Sequence, residues 1–103
     1  MHPGKMTRVI GGKRYRTETA TLLASDAWWD GSNQERHGRN TFLYRTPHGA
    51  YFALHRTMWE REHDTIEPLD DVQALDIYEE MAAHDMAEVP IEEAFPDLVV
   101  EEA

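Results

Sequence analysis

The sequence predicts an α+β domain, in which an antiparallel sheet of three to five strands is packed by one early helix and one acidic C-terminal helix. Two stretches, residues 7–16 and 40–57, each place turn residues between two strand-like runs, a pattern typical of β-hairpins. A third stretch, residues 69–85, repeats apolar residues at helical spacing. These three observations fix the expected fold class.

The N-terminal part predicts a hairpin followed by the early helix. In TRVIGGKRYR, residues 7–16, Gly11 and Gly12 supply the positive φ angles of a two-residue turn. Thr17 is then suited to cap a helix, and the apolar residues after it recur at helical spacing. We expect this helix to end near residues 30–31. Its apolar positions are Ala20, Leu23, Ala24 and Ala27.

The second hairpin, residues 40–57, is the clearest element of the chain. Pro47 and Gly49 suit a type I turn with a glycine bulge, and this turn sets the strand register. The facing pairs are then Phe42–Leu54, Tyr44–Phe52 and Thr46–Ala50, and the large side chains among them form the core face. The opposite face is mixed, so we expect it to be partly covered or used in contact. It holds Leu43, Arg45, Tyr51, Ala53 and His55.

The acidic helix is predicted from a capping box and an apolar stripe. Asp70 is a good N-cap, and Gln73 completes the capping-box spacing. The stripe consists of Leu69, Val72, Leu75, Tyr78 and Ala82, with Ile77 and Met81 beside it. Ile66 is expected on one more short strand, and residues 91–95 on one further helical turn.

Charge is distributed very unevenly along the chain. Residues 1–63 contain all 10 basic residues and 6 acidic ones, whereas residues 64–103 contain 14 acidic residues and no Lys or Arg. The net charge is −10. A cation-free segment of this length repels nucleic acid and attracts basic surfaces, of which nucleic-acid-binding proteins carry the commonest large examples. The alternative interpretation is an ordinary solvated acidic helix and tail.

Composition bounds the remaining possibilities. We expect one domain over residues 1–103, with flexible ends at 1–6 and about 97–103. The chain has no cysteine, which excludes disulfides, thiolate metal sites and a cysteine nucleophile. No apolar run is long enough to span a bilayer, and the N-terminus has no apolar signal region. We therefore expect a cytoplasmic protein without a membrane partner.

Motifs for catalysis and metal binding are weak. Six histidines are dispersed, and Glu60 with His63 forms a lone i,i+3 pair without a second pair of ligands. Ser25 and Ser32 lack the context of a hydrolase nucleophile, and the glycines form no phosphate loop. We expect no enzyme activity, no cofactor and no metal.

The stretch DAWWDGSNQERHGRN, residues 26–40, holds adjacent tryptophans and several polar groups. Adjacent residues on a helix point about 100° apart, so we expect Trp28 and Trp29 to plug different parts of a thin core. The alternative is a site for a ligand or reaction, beginning with Arg36, His37, Arg39 and Asn40. The two arginines are also candidates to neutralise the acidic helix.

Three groups of residues form a recognisable pattern: Gly12, Lys13, Tyr15, Thr17, Thr19 and Ala20, then Leu43, Tyr44, Arg45, Thr46, Gly49, Tyr51 and Phe52, then Ile66, Pro68 and Leu69. In this pattern, over about residues 9–82, the chain resembles a family of small proteins of phages and integrated bacterial mobile elements. Arg16 departs from the family pattern, which has an acidic residue there. Such small acidic proteins resemble host-defence inhibitors, among them anti-CRISPR and anti-restriction proteins, some of which mimic the charge of DNA. The family motifs mark a fold and no catalytic site.

We therefore expect a non-enzymatic interaction module that blocks a basic nucleic-acid-binding protein of host defence, such as a CRISPR effector, without binding nucleic acid directly. The protein itself would be a monomer or homodimer. The alternatives are a small enzyme or ligand-binding domain using residues 28–40, and a dimerising module using the mixed face of the second hairpin. The expected partner-binding residues are Asp70, Asp71, Asp76, Glu79, Glu80, Asp85, Glu88, Glu92 and Glu93.

Overall fold

A computed structural model describes residues 4–26 and 39–103 and confirms the α+β class. Strands β3 to β6 form one antiparallel sheet in the order β3-β4-β5-β6, while β1 and β2 form a separate two-stranded ribbon. In the described ranges no helix is long and apolar enough to cross a membrane. The elements are β1 (Thr7–Ile10), β2 (Lys13–Arg16), β3 (Thr21–Ser25), β4 (Arg39–Arg45), β5 (Tyr51–Thr57), β6 (Thr65–Leu69), α1 (Asp71–Ala83) and α2 (Ile91–Ala94).

The prediction of an early helix is wrong, because residues 21–25 form strand β3. This strand pairs with β4, and its register shifts between Leu22 and Ala24. Such a bulge turns Leu23 and Ala24 to the same side of the sheet, which imitates the clustering of apolar residues on a helix. Thr17 caps no helix. A short apolar run does not by itself distinguish a helix from a strand, and pairing with β4 decided the outcome.

Both predicted hairpins are confirmed. Gly11 and Gly12 have φ angles of 59° and 77°, as the two-residue turn of the ribbon requires. The β4–β5 register is the predicted one, and the N–H of Thr46 donates to the carbonyl of Ala50 at 2.8 Å. Gly49 follows with a φ of 86°. Ile66 lies on β6 opposite Leu54, so the predicted extra strand is also present.

The ribbon covers one face of the sheet. Tyr15 of β2 is buried, and its ring meets the ring of Phe52 edge-on with centroids 5.6 Å apart. Tyr44 stacks on the same Phe52 ring at 5.1 Å. Met6, within the segment expected to be flexible, is held by Thr17, which donates its N–H to the Met6 carbonyl at 3.0 Å. The ribbon is thus stabilised from one side by aromatic packing.

The helices cover the other face, which is the mixed face of the second hairpin. Leu43 and Ala53 are fully buried there, against Ala74 and Tyr78 of α1. The hypothesis of a dimerising surface at Leu43, Tyr51 and Ala53 is therefore wrong, because the chain's own helices occupy that face. The described residues form three layers: the ribbon, the sheet and the helices.

Helix α1 begins with the predicted capping box. The N–H of Gln73 donates to the Asp70 carboxylate at 2.8 Å, and the N–H of Asp70 donates to the Gln73 side chain at 3.0 Å. The buried stripe, however, is Ala74, Tyr78 and Met81. Val72 is 70% exposed. Ala74, two residues further along the helix and about 200° around its axis, is the residue that faces the sheet. The small side chain of Ala74 lets the helix approach the sheet closely.

After α1 the chain returns along the outer edge of β3. Asp85 adopts a φ of 61°, and the N–H of Glu88 then donates to the carbonyl of Leu23 at 2.8 Å. A bridge between Ala24 and Ala87 continues this contact. The edge strand is thereby covered, which protects it from pairing with another chain.

The predicted turn after Pro90 is α2, which closes the helical side of the core. Phe95, at the end of α2, stacks on Tyr51 with centroids 4.9 Å apart. The Tyr51 hydroxyl donates to the carbonyl of Ala94 at 2.8 Å. The Tyr78 hydroxyl donates to the carbonyl of Val89 at 2.6 Å. Each buried phenol therefore has an acceptor, as burial of a polar group requires.

Replacing the N-cap tests the role of the capping box. We expect Asp70→Ala to lower the free energy of unfolding by about 0.5–2 kcal/mol, because it removes an acceptor from the first turn of α1. Urea unfolding followed by circular dichroism measures the change. Asp76→Ala removes the same charge from an exposed position inside α1 and is expected to cost less. Equal losses in both variants would contradict a specific capping role.

Candidate functional site

All nine residues expected to bind a partner are exposed, and all lie in the helical layer, defined here as residues 70–95. Asp70 caps α1, and four others lie on that helix. Asp85 and Glu88 lie in the connection, while Glu92 and Glu93 lie on α2. The helical layer contains nine acidic residues and no Lys or Arg. The structure therefore brings the predicted acidic residues together on one layer.

The acidic residues of the helical layer have no ion-pair partner among residues 4–26 and 39–103. The ion pairs in those ranges join Arg39 to Glu62, His55 to Glu67 and Arg56 to Asp64. The hypothesis that Arg39 neutralises the acidic helix is therefore wrong: its guanidinium is held by Glu62 in the β5–β6 connection, and Nε to Oε1 measures 3.0 Å. Arg36 lies outside the described residues.

Charged groups on the helical side of the sheet act on the buried tyrosines. Burial raises the pKa of Tyr51, the hydrogen bond and charge of Arg45 lower it, and the negative charges of Asp71 and Asp97 raise it by smaller amounts. Burial also raises the pKa of Tyr78, with a smaller contribution from Glu92. These carboxylates thus act on groups inside the core as well as on the solvent.

Apolar side chains are interspersed with the acidic ones. Val72 is exposed on α1, and Leu98 and Val99 are 39% and 82% exposed just beyond α2. Val72, Leu75 and Leu98 line a cleft of about 370 Å³ together with Asp71 and Asp97, and Arg45 and His48 also border it. This surface therefore offers apolar contact area bordered by charged groups, a composition suited to a protein partner.

The opposite layer has the opposite charge. Residues 4–16, which include the ribbon, contain five basic residues and no acidic one. The sheet separates this layer from the helical layer, since Tyr15 packs on the face that carries Phe52, and Tyr78 on the face that carries Leu43. The charge asymmetry along the sequence has thus become an asymmetry between two sides of the molecule.

A second candidate site is the sheet-end cleft, of about 640 Å³, which is lined by residues of β4, β5 and the β5–β6 connection. Arg39 and Asn40, which the sequence singled out, line it, whereas Trp28, Trp29, Arg36 and His37 lie outside the described residues. The Asp26 carboxylate accepts from the N–H of Thr41 at 2.6 Å. The side-chain amide of buried Asn40 donates to the Asp26 carbonyl at 3.3 Å.

Three strands align a hydroxyl, an imidazole and a carboxylate at this cleft. Thr41 Oγ1 lies 3.0 Å from His55 Nδ1, and His55 Nε2 lies 2.9 Å from a Glu67 oxygen. A nucleophile needs such a base, but it also needs donors for the charge that develops on the substrate. Arg39 and Arg56, the guanidinium groups of the cleft, are each held by a carboxylate. Arg36 and His37, the other members of the predicted Arg–His–Asn site, lie outside the described residues, so that site stays a prediction.

Sequence reasoning did not identify the Thr41–His55–Glu67 alignment. The predicted hairpin register already implied that Thr41 faces His55, one step from the Phe42–Leu54 pair. Glu67 could not be placed, because β6 follows a connection whose length does not fix its register. In the described part of the chain, no three His, Asp or Glu groups converge as metal ligands.

No family model, curated protein or solved structure matches this chain. The residues that carry the family resemblance have structural positions. Lys13 and Tyr15 belong to the ribbon, Tyr44 and Phe52 stack in the core, and Pro68 lies in edge strand β6. The motifs describe how this sheet is built, so function has to be inferred from the surfaces.

The Arg39–Glu62 pair predicts a specific titration. Hydrogen bonds from Arg39 first, and from Thr57 second, hold the pKa of Glu62 below its ordinary value. The pair therefore stabilises the fold above the ordinary carboxyl pKa, and this contribution is lost as the pH falls through the lowered pKa of Glu62. Carbon-13 NMR titration should show a lowered pKa for Glu62, which rises in Arg39→Gln. Arg61→Gln removes a neighbouring cation and should leave the pKa of Glu62 unchanged. Identical titrations in all three proteins would refute the assignment.

Proposed function

We propose that this protein is a non-enzymatic interaction module, whose helical layer docks on a basic nucleic-acid-binding protein. The observation that carries the proposal is the separation of charge: nine carboxylates, in a segment without Lys or Arg, lie on one side of the sheet, and the five cations of residues 4–16 lie on the other. Following the family resemblance, the partner class is a host-defence protein, such as a CRISPR effector, and the source a phage or other mobile element.

Screening by salt weakens the interaction between the cations of the ribbon and the carboxylates of the helical layer. Packed layers lie about 10 Å apart, so the ribbon and the helices are separated by about 20 Å across the sheet. The Debye length at physiological ionic strength is about 8 Å. The cations of the ribbon therefore cannot neutralise the helical layer. Although Arg45 and His48 border its cleft, most charges that an approaching basic protein meets there are negative.

The exposed apolar residues offer contact area that can hold a complex together after charge has brought the partners into contact. Electrostatic attraction mainly accelerates association and selects the partner, whereas buried apolar contacts in the centre of an interface sustain it. Val72 lies among the acidic residues of α1, and Leu98 lies next to α2. A partner that covers these two side chains with an apolar patch, and surrounds it with Lys and Arg, would match the surface.

Charge reversal on α1 tests the proposal. We expect the wild type to retain a nucleic-acid-binding protein from a bacterial lysate, and Glu79→Lys/Glu80→Lys to lose it. With the purified partner, the reversal should raise Kd at least about tenfold, about 1.4 kcal/mol, and flatten its salt dependence. Calorimetry across a salt series measures both quantities.

Two controls separate docking from folding and from net charge. Glu101→Lys/Glu102→Lys changes the net charge by the same amount, at the chain end, and should retain binding. Lysines near the C-terminus of α1 favour the helix dipole, so the α1 variant is expected to melt no lower than the wild type. Binding that ignores salt, or that survives reversal on α1, would overturn the proposal.

A further inference from the structure

A basic groove lies between the ribbon and the β4–β5 turn. Its volume is about 700 Å³. No Asp or Glu is among the described residues that line it. Its polar lining comprises Lys13, Arg14, Arg16, Thr19, Thr46 and His48.

Strand geometry places cations on both sides of β2, along the groove. Tyr15 points inward to the sheet, so Arg14 and Arg16 point to the opposite side of the ribbon. Lys13 shares the side of Tyr15 and lies next to the Gly11–Gly12 turn. A side chain at either glycine of that turn would meet no atom within 4 Å, so the tip of the ribbon is open to a ligand.

The free edge of β2 adds backbone donors. Hydrogen-bonded and non-hydrogen-bonded pairs alternate along an antiparallel ribbon, starting with a bonded pair next to a two-residue turn. Ile10 pairs with Lys13 at the turn, so the N–H groups of Arg14 and Arg16 are directed away from β1. The main sheet does not pair with this edge.

We propose that the basic groove binds the phosphodiester backbone of a nucleic acid strand. Arg and Lys side chains, hydroxyl groups and backbone N–H groups are the donors that proteins use for phosphate oxygens, and the groove combines all three. The guanidinium fork of Arg also fits phosphate oxygens two at a time. Such contacts neutralise phosphate without reading bases, so we expect binding without sequence preference.

The net charge of −10 argues against direct binding of nucleic acid. The layered structure weakens this argument, because the five basic residues of residues 4–16 are collected on one side. The described residues that line the groove include no carboxylate, whereas Asp71 and Asp97 line the cleft beside α1, which adjoins the groove at His48. Exposed charges more than a Debye length of about 8 Å away are largely screened. A strand in the groove therefore interacts mainly with the local cations. Its affinity should fall steeply with salt.

The acidic layer of a second copy is a less suitable occupant. A stable protein interface needs about 800 Å² from each partner, whereas the ribbon offers strands of only four residues. Two copies, each with a net charge of −10, also repel each other. The inference does not depend on the proposed docking partner, since none of the nine carboxylates proposed to bind that partner lines the groove.

Fluorescence anisotropy of a labelled 20-nucleotide oligo(dT), in about 50 mM salt, tests the groove. We expect a wild-type Kd on the order of 10⁻⁴–10⁻⁶ M, and a loss of at least about tenfold in Arg14→Gln/Arg16→Gln. Lys5→Gln/Arg8→Gln removes the same charge from residues outside the groove and should lose less than about threefold. The slope of log K against log salt should fall by about 1.4 in the groove variant, about 0.7 for each lost phosphate contact.

Three outcomes would overturn the inference. The first is no wild-type binding up to about 1 mM protein, weaker than any nonspecific binder. The second is an equal loss in both variants, which indicates net charge alone. The third is salt-sensitive self-association in sedimentation, lost in the groove variant while oligonucleotide binding persists, which indicates a second copy as the occupant.

Circular dichroism of both variants confirms that the exposed substitutions leave the fold intact. Oligonucleotide cross-linking of the wild type to ribbon peptides provides a readout without any substitution.

Discussion

The register between β4 and β5 determines where every other part of this molecule lies. Both strands are buried on both faces, so alternate residues belong to different cores: Phe42 and Leu54 face the ribbon, whereas Leu43 and Ala53 face the helices. A slip of one residue would exchange these two sets and leave neither layer with a matching surface. The positions of the basic and acidic layers follow from this register, which is set by the turn at residues 46–50.

Sequence signals of short range were sufficient for much of the fold. The glycine pair of the ribbon, the turn around Gly49 and the Asp70–Gln73 capping box each specify their element through neighbours in the chain. Strand β3 has no such local signal, because its bulge at Leu23 exists only in the pairing with β4, which is distant in the sequence. The rotation of α1 was likewise misjudged: apolar spacing allowed Val72 or Ala74 to face inward, and contact with the sheet selected the smaller residue.

Part of the candidate site could likewise be predicted from the sequence, and part could not. The exposure of the nine carboxylates could be predicted from composition and helical spacing, because a cation-free acidic segment stays in water. Their isolation from the basic residues could not, since it depends on which face of the sheet each layer covers. The expected role of Arg39 failed for a related reason: its partner Glu62 is distant in the chain and is brought close by the β4–β5 pairing.

The return of residues 86–88 along β3 also governs when the protein can finish folding on the ribosome. Strand β3 is made early, but its outer edge is covered by Ala87, and the core on its helical side is closed by Phe95. Until that late part of the chain has emerged, the nascent sheet keeps an unpaired edge and an uncovered apolar face, the two features that favour association with other chains. A segment synthesised later thus protects one synthesised earlier, and folding of the sheet is completed only after Phe95 has been translated.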